Sequence, residues 1–169
     1  MKYLIFTFLL SFAIHSKAQS KKLQTLLDLK ITSVEKMRKS LSNTTFLVYK
    51  NNVLEDSVLL EKGRFKVKLD TGFVYKVVIK KKDYVTKYIV LNTQEAPIKT
   101  KKYTKLKIDI GLFHKKDNLN VEFLKTEPIG YARYDFITEK MAWDVPYLDL
   151  MKGKIIRATL DYAKSKETP

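Results

Sequence analysis

Five basic residues, Arg64, Lys66, Lys68, Lys76 and Lys80, recur at near-alternate positions within "GRFKVKLDTGFVYKVVIKKKDY", residues 63–84. Cationic groups held on one face of a sheet attract phosphate, sulfate or carboxylate, with a strength that falls as salt rises. The blander role of such a row is solvation, since lysine on outer strand faces keeps a sheet soluble and discourages edge pairing. Other chemistry is scarce. His114 is the sole histidine after residue 18, and one histidine cannot build a multi-histidine metal site. No Gly-x-Ser-x-Gly elbow, glycine-rich phosphate loop or Asp-x-Asp-x-Asp calcium loop occurs. Asp109, Asp135, Asp144 and Asp149 are acid/base candidates by residue type, but their spacing makes no pair. Tyr131, Tyr134, Phe136 and Trp143 have the ring faces to stack on sugars. Parity puts Tyr134 and Phe136 on one face and Tyr131 on the other, so part of the set belongs in a core, with Trp143 between sheet and last helix. The expectation is a non-enzyme with no cofactor and no metal.

The basic row needs strands to position it. Gly63 interrupts the chain before "RFKVKL", and Asp70-Thr71-Gly72 separates that run from "FVYKVVIKK". A three-residue hairpin with Gly72 in the left-handed position would set Leu69 opposite Phe73, Val67 opposite Tyr75 and Phe65 opposite Val77. The other face would then carry Arg64, Lys66, Lys68, Lys76 and Lys80 together, with Lys66 facing Lys76. Lys99, Lys101 and Lys102 form a separate basic run in a loop.

Around this pair, "TFLVYK" and "VLEDSVLL" read as a hairpin through Asn51-Asn52, and "YVTKYIVLN" as a further strand. "KLKIDIGLFH" alternates with Leu106, Ile108, Ile110 and Leu112 on one side. "VEFLK" reads as a short strand, and "PIGYARYDF" with "KMAWD" as a hairpin around Thr138-Glu139. A helix follows from about 145, capped by Asp144, with Pro146 tolerated in its first turn. Leu148, Met151, Ile155, Ala158 and Tyr162 form its apolar stripe. Many short strands and one late helix predict a mainly β protein, an antiparallel β-sandwich over 31–169 with a C-terminal α-helix.

The N-terminus reads as a secretory signal over 1–18, with Lys2, an apolar run from Tyr3 to Ile14, and Ser16-Lys17-Ala18 before the cut. Residues 19–30 read as a lead-in, either a short helix using Leu23, Leu26 and Leu27 or a loosely docked tail. The full chain has 33 Lys and Arg against 18 Asp and Glu, a net charge of +15; cleavage removes two lysines and no acid, leaving +13 on 151 residues. No later stretch is long and apolar enough to span a bilayer. Cysteine is absent, which excludes disulfides, thiol chemistry and a lipidated cysteine at the cut. An exported location, periplasmic or secreted, turns the basic charge toward anionic lipid, acidic glycan or an envelope protein partner, and away from nucleic acid.

The stretch from Leu41 to Thr93 resembles the carboxypeptidase regulatory-like, prealbumin-like β-sandwich domains of exported Gram-negative envelope proteins. The likeness is carried by Leu41 with Thr44-Thr45-Phe46, by Gly63-Arg64-Phe65, and by Gly72 through Tyr75, Val77 and Ile79 to Lys82-Asp83-Tyr84. Its glycines set turns and its aromatics fill a core, so the resemblance implies a fold and a compartment and brings no catalytic residue. The functional expectation is an interaction or structural module of the bacterial cell envelope. The alternative is a binder of anionic envelope ligands, lipopolysaccharide or acidic glycan, through the basic face of Arg64, Lys66, Lys68, Lys76 and Lys80.

Overall fold

The computed structural model describes residues 24–35, 39–97 and 104–167; the signal expected over 1–18 and the Lys99 to Lys102 run lie outside them. Among these described residues, nine strands form two sheets. Strands β1 (Gln24–Ser33), β4 (Arg64–Asp70) and β7 (Thr104–Leu112) make a three-stranded sheet in the order β4-β1-β7. The larger sheet holds β2 (Thr44–Lys50), β3 (Val53–Leu60), β5 (Val74–Lys80), β6 (Lys87–Asn92), β8 (Gly130–Asp135) and β9 (Lys140–Trp143), in the order β3-β2-β5-β6-β8-β9. Two helices complete the described residues, α1 (Phe123–Thr126) and α2 (Val145–Glu167).

The sheets face each other across one apolar core, as alternation demands. Leu27, Leu29 and Ile31 of β1, Phe65 and Leu69 of β4, and Leu106, Ile110 and Leu112 of β7 come from the small sheet. Phe46, Val48, Tyr75, Val77, Ile79, Ile89 and Leu91 come from the large one. Phe46 stacks on Phe65 across the gap, with ring centroids 4.4 Å apart and planes 11° from parallel. The result is a sandwich, but one with mixed strand directions: β1 runs parallel to β7, and β6 parallel to β8.

The predicted Phe65–Val77 hairpin is wrong in its pairing and right in its parity. β4 pairs with β1 and β5 pairs with β2 and β6, so the two strands lie in opposite sheets. Gly72 does take a left-handed conformation, with φ +92°. The chain nevertheless crosses over there, because Thr93 staples the corner. Its backbone N–H donates to Phe73 O and its carbonyl accepts from the Gly72 N–H. Its hydroxyl lies 2.9 Å from Asp70 O and 2.8 Å from Phe73 O, and accepts from the Phe73 N–H. Lys66 therefore opposes Asp28, not Lys76.

Two further expectations change. From Gln24 onward the supposed lead-in is β1, the central strand of the small sheet. Leu27, Leu29 and Ile31 alternate into the core, and that burial outweighs the helical spacing of Leu23, Leu26 and Leu27 in the sequence. Gly63 permits the adjoining turn: a Cβ there would come within 2.6 Å of the carbonyl oxygens of Ile31 and Leu41. "VEFLK" is not a strand; Phe123–Thr126 form the helical turn α1, which buries Leu124 beside Met151 and Phe113 in a second, smaller core.

The remaining elements match. Asn51 and Asn52 both adopt positive φ at the β2–β3 turn, as a tight two-residue hairpin requires. β8 and β9 form the hairpin around Thr138-Glu139. The Asp144 side chain accepts from the Tyr147 N–H at 3.1 Å to cap α2, and Met151 is the most deeply buried residue of its apolar stripe.

Candidate functional site

The sandwich splits the five predicted basic residues between its two outer faces. Arg64, Lys66 and Lys68 lie on the small sheet; Lys76 and Lys80 lie on the large one. They do not form one surface.

On the small sheet the cations surround a buried carboxylate. Register places Lys30, Arg64, Lys66, Lys68, Lys105 and Lys107 on the outer face beside Asp28 and Asp109. Asp28 is only 3% exposed. Both its oxygens accept from Arg64 at 2.8 Å, and Lys105 stands 3.2 Å away. The Arg64 hydrogen bonds, with help from Lys105, outweigh burial and hold the Asp28 carboxyl well below the ordinary carboxylate range. This is an ion-pair network on the outer face of the small sheet.

On the large sheet the cations line a concavity. A cleft of about 830 Å³ opens over β2, β5 and β6, within the roughly 300–1,000 Å³ typical of small-ligand sites. Tyr49, Lys76, Val78, Lys80 and Tyr88 reach it from the strands; the wall comes from Val85, Thr86 and the segment from Lys115 to Lys125. That wall is anchored by the small core of Phe113, Leu124 and Met151, so α2 fixes one side of the cleft.

Five lysines line it: Lys76, Lys80, Lys115, Lys116 and Lys125; Glu122 is the lone carboxylate among the lining residues. Glu122 pairs with Lys125 one helical turn on. The Lys76 ammonium sits 4.3 Å from the Tyr88 ring centroid, and Lys116 lies 5.0 Å from that of Tyr162. Tyr88 is itself fixed by donating its hydroxyl to Thr126 O at 2.6 Å. Lys80 and Lys115 have no ion pair among the described residues. The cleft can therefore hold a negative charge beside apolar surface from Val78, Val85, Leu119, Val121 and Leu124.

The remaining candidates stay apart. His114 is half-buried, with Nδ1 3.4 Å from Glu35 and its ring 4.0 Å from that of Tyr84. Ser33, fully buried, donates its hydroxyl to the same Glu35 at 3.2 Å. Asp109 lies on the small sheet, Asp135 closes the β8–β9 turn onto Ile137 and Thr138, Asp144 caps α2, and Asp149 pairs with Lys152. Tyr134 is core and Phe136 exposed. Trp143 packs on the main core and donates to Lys107 O at 3.0 Å, tying β9 to β7. Among the described residues no group of three or more His, Asp or Glu gathers to hold a metal, and no helix is long and apolar enough to cross a membrane.

One chemically unusual residue escaped the sequence reading. Lys87 points into the sandwich, 4% exposed, donating to Gly111 O at 2.6 Å with its ammonium 4.2 Å from the Phe113 ring centroid. Burial pushes it down to about 8, opposed only by the charge of Glu35. Its place in phase with Ile89 and Leu91 was the available signal.

No family model matches the sequence, and no curated protein matches it. Among solved structures, the chain is similar to the crystal structure of 3-chlorocatechol 1,2-dioxygenase from Rhodococcus opacus 1CP, at 9% identity and a TM-score of 0.38. The match covers 59% of this chain and 63% of that one. A likeness that distant carries no argument about this chain.

Proposed function

We propose that this chain is a non-catalytic β-sandwich binding module that takes an anionic ligand in the lysine-lined cleft over its large sheet. The observation behind this is the convergence of Lys76, Lys80, Lys115, Lys116 and Lys125 on one concavity with a single, internally paired carboxylate. Export to the periplasm or beyond belongs to the same proposal, on the strength of the N-terminal pattern. So does the prealbumin-like character of the sandwich, which rests on the Gly63-Arg64-Phe65 and Gly72 to Tyr84 motifs.

The test is a titration with inorganic pyrophosphate followed by amide NMR. Saturable shifts concentrated at Lys76, Lys80, Lys115 and Lys116, weakening as salt rises, are expected. Absence of saturation, or equal shifts at Lys66 and Lys68, would overturn the assignment.

A second reading, an interaction or structural module with an envelope protein partner, is favoured by β3. This edge strand exposes Val53 (70%), Leu54 (51%) and Leu59 (66%) beside a hydrogen-bonding edge that no strand among the described residues pairs with. Cross-linking from a residue placed at Leu59 in intact cells should trap a partner. A strand that cross-links to nothing removes that reading.

A further inference from the structure

The cleft's lining is two-natured, and this narrows its ligand. Lysines line the cleft from β5 and from the Lys115 to Lys125 wall, whereas Val78, Val85, Leu119 and Val121 contribute apolar side chains to the same lining. A small hydrophilic anion would satisfy the ammonium groups and leave that apolar surface wet. A neutral apolar molecule would cover it and strand the charges. Lys76 shows how the two properties meet, since its ammonium is already drawn over the Tyr88 ring and stands at the boundary between them. The free ammonium groups of Lys80 and Lys115 stand ready for a headgroup, having no ion pair among the described residues.

Building on the anion-binding reading above, we propose that the ligand is a monomeric, single-chain anionic amphiphile. Its carboxylate or phosphate head is held by Lys80 and Lys115 with Lys76, and its hydrocarbon chain lies on Val78, Val85, Leu119 and Val121. The cleft takes the free monomer; a bilayer surface is flat and does not enter a concavity walled by the Lys115 to Lys125 segment.

Calorimetric titration with octanoate, decanoate and dodecanoate below their micelle concentrations tests this, with decanol, pyrophosphate and anionic phospholipid vesicles as separate arms. Each methylene buried adds roughly fourfold in affinity, so dodecanoate should bind at least tenfold tighter than octanoate and tighter than decanol or pyrophosphate. K76E/K80E should weaken dodecanoate at least tenfold, while K66E/K68E on the other sheet leaves it within twofold. V121N, a neutral polar change at a half-exposed loop position, should flatten the chain-length dependence of carboxylate binding. Pyrophosphate and dodecanoate binding equally, with equal lysine dependence, would sink the amphiphile and spare the anion site. Decanol matching dodecanoate, or binding to vesicles without binding to monomers, would overturn the proposal. No binding in any arm would remove the anion reading as well.

Discussion

Two basic regions share one molecule and one residue type, yet they are built differently. On the small sheet, Arg64 and Lys105 converge on the buried carboxylate of Asp28, while Lys66 and Lys68 flank it on the same outer face. On the large sheet, the lysines line a hollow whose carboxylate, Glu122, is already engaged by Lys125. The first arrangement uses positive charge to settle a negative charge that the fold has buried. The second leaves positive charge unspent beside apolar surface. Net charge alone does not separate these cases; what separates them is where the nearest carboxylate lies and whether the surface is concave.

The largest expected effect comes from a lysine belonging to neither region. Lys87, buried between the sheets, binds its proton more weakly when folded, at about 8 against an ordinary 10.5. Between those values the unfolded chain carries more protons, so stability rises with pH across that window and is flat in this term below 8. The full rise is on the order of 3 kcal/mol. Urea unfolding of wild type and K87M from pH 7 to 10.5 should show this limb in the wild type only. Parallel curves would mean that Lys87 reaches water, and the contrast between inward and outward lysines would lose its sharpest member.

Next comes the small sheet's network. Asp28→Asn removes a buried carboxylate from two cations that are both partly exposed, and these can rehydrate. The loss is therefore nearer ~2 kcal/mol than the larger penalty of a fully buried pair. The pH signature is opposite in sign to that of Lys87. The depressed carboxyl contributes stability above about 3.8, and that contribution is lost as pH falls below it. Asp28→Asn should therefore flatten the acid limb. A variant that keeps both the stability and the acid limb would make the small-sheet cations as free as those of the cleft.

How much of this was legible in the sequence follows from what is local. Parity is local, so Phe65, Val67, Leu69, Tyr75, Val77 and Ile79 were correctly turned inward, and Lys66, Lys68 and Lys76 outward. The Asn51-Asn52 turn and the Asp144 cap were local too. Pairing is not local. Whether β4 sits beside β5 or across from it depends on Thr93 stapling the corner from two strands away, and on β1 arriving from a segment read as a lead-in. Half the cleft was equally hidden. Lys76 and Lys80 were found from strand alternation, but Lys115, Lys116 and Lys125 looked like turn and strand-end residues. Only the small core of Phe113, Leu124 and Met151 folds their segment over the large sheet.

The comparison can be sharpened from the cleft side with substitutions that leave the fold alone. Lys80→Ala and Lys115→Ala remove cations that hold no ion pair among the described residues, so unfolding midpoints should shift by less than ~0.5 kcal/mol. Pyrophosphate affinity, in contrast, should fall several-fold, with a shallower salt dependence. A stability loss without a binding loss would reassign these lysines to the kind of structural service Arg64 performs.

The smallest effect should come from the small sheet's flanking lysines, Lys66 and Lys68. Lys66 lies directly opposite Asp28 on the neighbouring strand, yet the carboxylate is already held by Arg64 and Lys105, and neither Lys66 nor Lys68 has an ion pair among the described residues. Replacing both with alanine should change stability by no more than ~0.5 kcal/mol, as expected for exposed positions outside a network. Pyrophosphate affinity should stay within twofold, because these lysines lie on the opposite sheet from the cleft, on a face shared with the carboxylates of Asp28 and Asp109. If the pair instead weakened binding as much as Lys80→Ala with Lys115→Ala, the cleft and the nearby carboxylates would not matter. The distinction between the two regions would then reduce to total charge.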